Sequence, residues 1–405
     1  MFPLGNAPPK SSPTFGEAFD PKRNAFAFLR MALAFLVIVS HCFALGGFGT
    51  EPIARMTDGA QSLGEITVAV FFILSGFLVT RSGLGSRSAG RFLWHRFLRI
   101  FPGYWGCLLA TAFLFSPLFE LIKHGAFSAD ASLAYLRGNW AIFHFNGLSI
   151  DGVVNFNPWT IGRVLNDNPY PWTMNGSLWS LPYECACYLV LALFVWAGIL
   201  RRGRLGIVIL FGVLWALYAF SCLDAEYFKE CFPYRYFKML ITLTAYFSAG
   251  CVSYLYRDSI PASKRLFAAA LVLLAVGLVF DSFGLVAPIA LSYASLCLAF
   301  WLPIRRFDAL GDFSYGTYIY AFVVQQGLAL LRVPQQYGFA VFLGSTVFIT
   351  LVLAVLSYRC IEAPSLRWKE VGLLRSKNLP EPLATSCGSH VALAVSSPTG
   401  GVATH

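Results

Sequence analysis

Ten stretches of this chain are apolar over roughly the length that a helix needs to cross a bilayer, about 20 residues. They run at approximately 26–46, 62–80, 100–119, 178–200, 205–223, 237–256, 266–283, 285–304, 310–331 and 337–358. Inside hydrocarbon a backbone N–H or C=O finds no water, so each span must close its hydrogen bonds within itself as a helix. The pattern predicts an all-α, polytopic integral membrane protein with about ten transmembrane helices. Composition agrees, because 57% of the residues are hydrophobic and only 12% are charged. Soluble domains carry about 25% charged residues, which excludes a water-soluble globular enzyme.

The basic residues set the expected orientation. With both termini cytoplasmic, 21 of the 30 Lys and Arg residues fall on the inner side, eight on the outer side, and Arg30 within the membrane. That distribution follows the positive-inside rule, so the net charge of +10 is read as topology and no nucleic-acid partner is expected. Residues 1–24 read as a polar cytoplasmic segment without the short apolar region of a cleavable signal peptide. Residues 25–370 read as the transmembrane domain, and residues 371–405 as a cytoplasmic tail too poor in bulky groups to order itself. Most of the ten cysteines lie in apolar runs, where a thiol behaves as a small hydrophobe. No Cys-x-x-Cys pattern or Cys/His cluster occurs, so no metal or redox centre is expected. Cys222 and Cys231 flank one short outer loop, a placement open to a disulfide or to two free thiols.

Ionisable groups at membrane depth cost several kcal/mol, about 2.5–3.5 for Arg on insertion scales, and so tend to mark function. The first span carries two, Arg30 and His41. Eleven residues is three helical turns plus about 20°, which puts both side chains on nearly one face, separated by a rise of about 16 Å. Arg30 is also within snorkelling reach of the inner interface. Glu184 is the third such group. Counted from Leu178, it is expected about 9 Å below the outer edge, at a depth similar to that of His41. Ser177, Ser180, Glu184 and Tyr188 follow three- and four-residue spacing and form one polar stripe, with Pro182 placed to distort the helix locally. A His and a Glu at matched depth suggest an acid/base unit in which the carboxylate orients the imidazole, a triad whose hydroxyl comes from the substrate.

Arg96 and Arg99 sit three apart just before the third span, downstream of Arg81, Arg87 and Arg91. Cytoplasmic anchoring alone accounts for basic residues there, while paired guanidiniums also suit bidentate capture of phosphate. Ser75 and Gly76, inside Phe71 to Phe77, read by default as a site of close helix packing. Glu362 reads as an interfacial group paired with Arg359. The one long connection, an outer loop at about 120–176, contains Asn139, Trp140, His144, Asn146, Asp151, Asn155, Asn157, Trp159, Asn166, Asp167, Asn168, Tyr170 and Trp172. Long loops in compact architectures are often functional. This one suits a sugar, though interfacial anchoring explains any single aromatic equally well.

In order along the chain, these motifs resemble the membrane-bound acyltransferase-3 family over roughly residues 23–370. The matching features are Arg30 with His41, the Phe71 to Phe77 segment, and Arg96 and Arg99 ahead of Pro102 and Tyr104. They continue with Trp179 to Glu184, Ser314 with Tyr315 and Tyr318, and Tyr358 to Pro364. Two departures stand out: Ala321 where many relatives carry His, and Cys187-Tyr188 where relatives often read Phe-Tyr. No room is expected after the last span for the fused SGNH-type hydrolase domain of some relatives, so any partner esterase would be a separate chain. The resemblance implies a multi-pass inner-membrane O-acyltransferase that moves an acyl group, acetyl first in expectation, from cytoplasmic acyl-CoA to a hydroxyl of a glycan at the outer face. It implies that Arg96 and Arg99 hold the CoA phosphates, and that Arg30 stabilises the donor further in. His41 serves as general base or as transient acyl carrier, and Glu184 orients His41 or positions the acceptor. Trp179, Ser180 and Tyr188 are the substrate-binding candidates. Sterols, macrolides and other hydroxylated molecules fit the same acceptor role, and a homo-oligomer or glycan-assembly complex is compatible with it. Two other classes stay open on the residues alone. One is a proton-coupled transporter using Arg30, His41 and Glu184; the other is a non-catalytic scaffold.

Overall fold

A computed structural model describes residues 12–124, 129–142, 144–146, 149–151, 165–171, 173–232, 235–304, 307 and 311–369. Asn155, Asn157, Trp159 and Trp172 of the outer loop, and the tail from 371, lie outside the described residues. Among the described residues, ten helices of sixteen residues or more make up the body: α1 Phe26–Gly46, α2 Leu63–Gly85, α3 Ala89–Ala110, α4 Leu181–Trp196 and α5 Leu205–Leu223, then α6 Arg235–Leu255, α7 Lys264–Val279, α8 Phe283–Trp301, α9 Ser314–Leu330 and α10 Val333–Ser357. Among the described residues, seven helices are long and apolar enough to cross a membrane. Apart from a short antiparallel ribbon pairing His144–Asn146 with Ser149–Asp151, the named elements are helical.

Several boundaries follow from local chemistry. Ser62 and Glu65 form a capping box that starts α2, each satisfying a backbone donor that the helix start leaves open. Ser88 caps α3 by accepting from the Arg91 N–H. The third span therefore begins at Ala89, well before the expected 100, and Arg91, Arg96 and Arg99 ride on the helix itself. The fourth begins later than expected. Gly176–Ser180 is a 3-10 turn and α4 starts only at Leu181, with Pro182 in its first turn, where a missing N–H costs nothing.

Packing is closest between α2 and α6. A Cβ on Gly76 would lie 2.0 Å from the Phe247 carbonyl oxygen, and one on Gly250 would lie 2.1 Å from that of Ile73. Each glycine lets the opposite backbone in, the small-residue packing that membrane helices use in place of a hydrophobic driving force. Helix α1 runs antiparallel to α2, with the Gly64 N–H donating to Ser40 Oγ at 3.2 Å. It runs parallel to α9, with Thr317 meeting Met31 and Gln325 Nε2 donating to the Ile38 carbonyl at 3.0 Å. The segment ahead of α1 packs into the body: Phe15 is buried, and Phe19 joins Phe26, Phe77 and Phe300 in one aromatic cluster. Cys222 and Cys231 are free thiols.

Candidate functional site

A cavity of about 120 Å³ opens between α1, α2, α3, α4 and α9. One water needs about 10–15 Å³ by the same measure, so there is room for several waters or for the head of a thioester. Along α2 the lining runs from Val79 to Val68, a length of about 16 Å at 1.5 Å per residue.

The cationic end is built from three helices. Arg30 projects from the second turn of α1, and Arg96 and Arg99 from α3. Arg30 Nη2 lies 2.7 Å from Asp312 Oδ2, and Arg99 donates to the same oxygen. The Ser314 hydroxyl donates to the other carboxylate oxygen at 2.5 Å. Asp312 stands in the turn ahead of α9, outside the membrane-spanning helices. Burial opposes its ionisation, but the two guanidiniums and Ser314 outweigh that and hold it well below the usual carboxylate range. Glu362 is a further carboxyl group acting on Arg99. Arg96 adds a third guanidinium, with no ion-pair partner among the described residues. It reaches Ser82 Oγ at a long 3.4 Å and lies over the rings of Phe92 and Tyr188. The Nε atoms of Arg30 and Arg96 are both buried without a hydrogen-bond acceptor. Buried donors of this kind suit a polar or anionic ligand.

Further in, the wall mixes apolar side chains such as Val68, Phe71 and Phe72 with a few polar ones, of which Glu184 is the carboxylate. Tyr188 donates a short hydrogen bond to Glu184 Oε1, and Ser75 Oγ lies 3.4 Å from that oxygen and 3.2 Å from the Tyr188 hydroxyl. Ser180 Oγ meets the Tyr318 hydroxyl at 2.8 Å. Gly76 thus has the packing role that its small size suggested, while Ser75 beside it faces the cavity.

His41 is absent from the cavity lining. Its neighbour Ser40 meets Gly64 whereas Glu184 meets Ser75, so the two levels are eleven residues, or about 16 Å, apart along α2. The expectation of matched depth is therefore corrected, and Glu184 is not the partner that orients His41. Depth had been counted from Leu178 as a helix start. Instead, the Asn175 amide donates to the Ile319 carbonyl at 2.8 Å, and Gln326 binds the Tyr170 and Thr173 carbonyls and the Asn168 side chain. The chain has already descended into the bundle before α4 begins. The His41 ring instead meets Phe322 edge-on, with centroids 5.2 Å apart. Its Nδ1 is buried with no hydrogen-bond partner among the described residues.

Other expected roles shift too. Arg30 does not snorkel freely but is held by Asp312. Trp179 is half-buried against Tyr183 and does not line the cavity, whereas Ser180 and Tyr188 do. Glu362 is not an interfacial partner of Arg359. A π-helical turn, Tyr358–Glu362, packs an extra residue into the turn and brings Glu362 inside, 2% exposed. There it accepts from Ser357 Oγ at 3.1 Å and packs beside Gly103, one turn after Arg99. Asp312 was missed outright; it is one of two acids, with Asp308, in a flank that also holds Arg305 and Arg306, and nothing in the sequence singles it out. Among the described residues no group of three His, Cys, Asp or Glu side chains could hold a metal ion.

A family model described as an acyltransferase domain (acyltransferase-3) matches residues 23–359. An "O-acetyl transferase" of Shigella phage Sf6 is 28% identical over 311 residues, covering 75% of this chain and 85% of that protein. "Nodulation protein 10" of Rhizobium leguminosarum bv. viciae is 27% identical over 368 residues, covering 85% of this chain and 94% of the relative. No solved structure matches the chain.

Proposed function

Because the chain belongs to the acyltransferase-3 family and is an O-acetyltransferase, we propose that it takes acetyl from acetyl-CoA at the cytoplasmic face of an inner membrane and esterifies a hydroxyl of a glycan at the outer face. The observation that carries this reading is the gathering of three guanidiniums, Arg30, Arg96 and Arg99, at one end of a cavity whose further wall is mainly apolar, with Arg30 and Arg99 sharing the single carboxylate of Asp312. Guanidiniums grip phosphate through paired, charge-assisted hydrogen bonds. Arg96, which makes no ion pair among the described residues, receives the donor phosphates first. Arg99 and Arg30 follow as the donor competes with Asp312.

The thioester then extends along the cavity past Glu184, Tyr188 and Ser75, which position it or the incoming acceptor. At the outer end His41 takes the proton of the acceptor hydroxyl as that oxygen attacks the acetyl carbonyl. The C–O bond forms, the C–S bond breaks and the CoA thiolate recovers a proton. Alternatively His41 carries the acetyl itself in two steps. An imidazole whose Nδ1 is unengaged among the described residues is free for either part. The acceptor is assigned to glycans on the Asn- and aromatic-rich outer segment, and lipid surrounds the helices.

Arg96→Ala tests the donor site. A hydrogen bond to a charged group contributes about 1.5–3 kcal/mol, so KM for acetyl-CoA should rise about ten- to a hundredfold. It should do so with little change in kcat, in CoA-release assays on purified protein. An unchanged KM would remove Arg96 from the donor site.

A further inference from the structure

Phe322 packs against His41 one helical turn beyond Tyr318, which lines the donor cavity, and we infer that its ring is a moving partition that keeps water and acceptor out of the cavity until transfer. This inference rests on the donor reading above. Phe322 lies one turn beyond Tyr318 on the same face of α9. The two rings continue one seam: Tyr318 meets Ser180 at 2.8 Å, and Phe322 covers Gly176 at the other end of the same 3-10 element. A Cβ at Gly176 would fall 2.5 Å from a Phe322 ring carbon, so the glycine leaves the space that the ring fills. On its other edges the ring meets His41 at 5.2 Å and Tyr170 at 6.1 Å between centroids. Phe322 is 6% exposed and Tyr170 is 41% exposed, so the seam passes from interior to outer surface across this one side chain.

Level along α2 supports the same placement. The cavity lining ends at Val68, and Ser40, next to His41, meets Gly64. Four residues, or about 6 Å, separate the end of the cavity from the level of the imidazole, and the Phe322 ring borders that gap. Acetyl transfer at His41 therefore requires the ring to rotate away. Its resting position excludes water from a bound thioester, as closing elements do in enzymes that handle hydrolysable donors.

The partition has a consequence measurable without acceptor. If the ring is removed, water can attack the thioester carbonyl at the outer end, breaking the C–S bond to give acetate and free CoA thiol. The experiment follows CoA release from acetyl-CoA by purified, monodisperse full-length protein in lipid nanodiscs, with and without acceptor glycan. Phe322→Ala should raise acceptor-independent release about tenfold, and Phe322→Tyr should leave it at the wild-type level. Gly176→Ala, which keeps the ring but pushes it aside, should also leak. Monodisperse Phe322→Ala and Gly176→Ala proteins that transfer acetyl with no rise in acceptor-independent release would overturn the partition while leaving the donor reading intact. Wild-type protein that acetylates the acceptor without releasing any CoA would overturn both.

Discussion

Asp312→Asn should cost this protein about 3 kcal/mol of stability and most of its transferase activity. The carboxylate neutralises two guanidiniums that converge on one oxygen, with side-chain exposures of 27% for Arg30, 22% for Arg99 and 17% for Asp312 itself. Removing one partner of a buried ion pair typically costs about 3–5 kcal/mol, because the charges left behind keep their desolvation penalty; the lower end applies to groups lining an open cavity. The cause can be separated from general damage. Asp312→Asn combined with Arg30→Gln removes one of the stranded cations, so its thermal midpoint in detergent should lie above that of Asp312→Asn alone. Such recovery is the coupling expected between residues in direct contact. Since the folded-state carboxyl sits below its ordinary value, its stabilising contribution is complete above the usual carboxylate range and is lost only as pH falls below it. Stability across neutral pH should therefore not depend on this group. Equal midpoints for the single and double variants would mean that the triad is not a coupled unit.

His41→Ala should lower acetyl transfer by about 10²–10⁴, the usual contribution of a positioned general acid or base. It should leave acetyl-CoA affinity essentially unchanged, because the imidazole does not line the cationic cavity. This split distinguishes the two ends of the site: variants at Arg96 act on KM, whereas the variant at His41 acts on kcat. Acetyl content of the surface glycan in cells producing His41→Ala at normal levels gives the same test in vivo. Wild-type acetylation there would remove His41 from the chemistry.

How much of this was legible beforehand depended on the kind of signal. Arg30 announced itself because a guanidinium within a span is expensive, and the cavity does contain it. Arg96 and Arg99 were ambiguous, since anchoring explains basic residues at such an edge; in the structure Arg99 shares Asp312 with Arg30, and Arg96 lines the same cavity. Asp312 itself carried no periodic or motif signal. Its partners lie 282 and 213 residues away, and an acid at a span mouth reads as an ordinary loop residue. Glu184 was chosen as a polar group facing inward, and it does line the cavity, but its depth was wrong by most of the length of the cavity. A count of residues along an assumed helix does not register a 3-10 turn preceded by a segment that Asn175 and Gln326 hold within the bundle. Glu362 misled for a related reason, because a π turn rotates a side chain that regular geometry would leave outside. The Ser75-Gly76 pair held two functions that a single label hid, one residue closing a helix contact and the other lining the cavity. The all-α, membrane-embedded character was the easiest part, since twenty-residue apolar runs leave the backbone almost no alternative.

Sidedness tests the central claim most directly. Protein is reconstituted in one orientation in sealed vesicles with acceptor glycan enclosed on the side of His41, and labelled acetyl-CoA is added only on the side of Arg30, Arg96 and Arg99. The account predicts label esterified to the enclosed glycan while free CoA stays outside with the donor. Labelling that appears only when donor and acceptor share one compartment would contradict it.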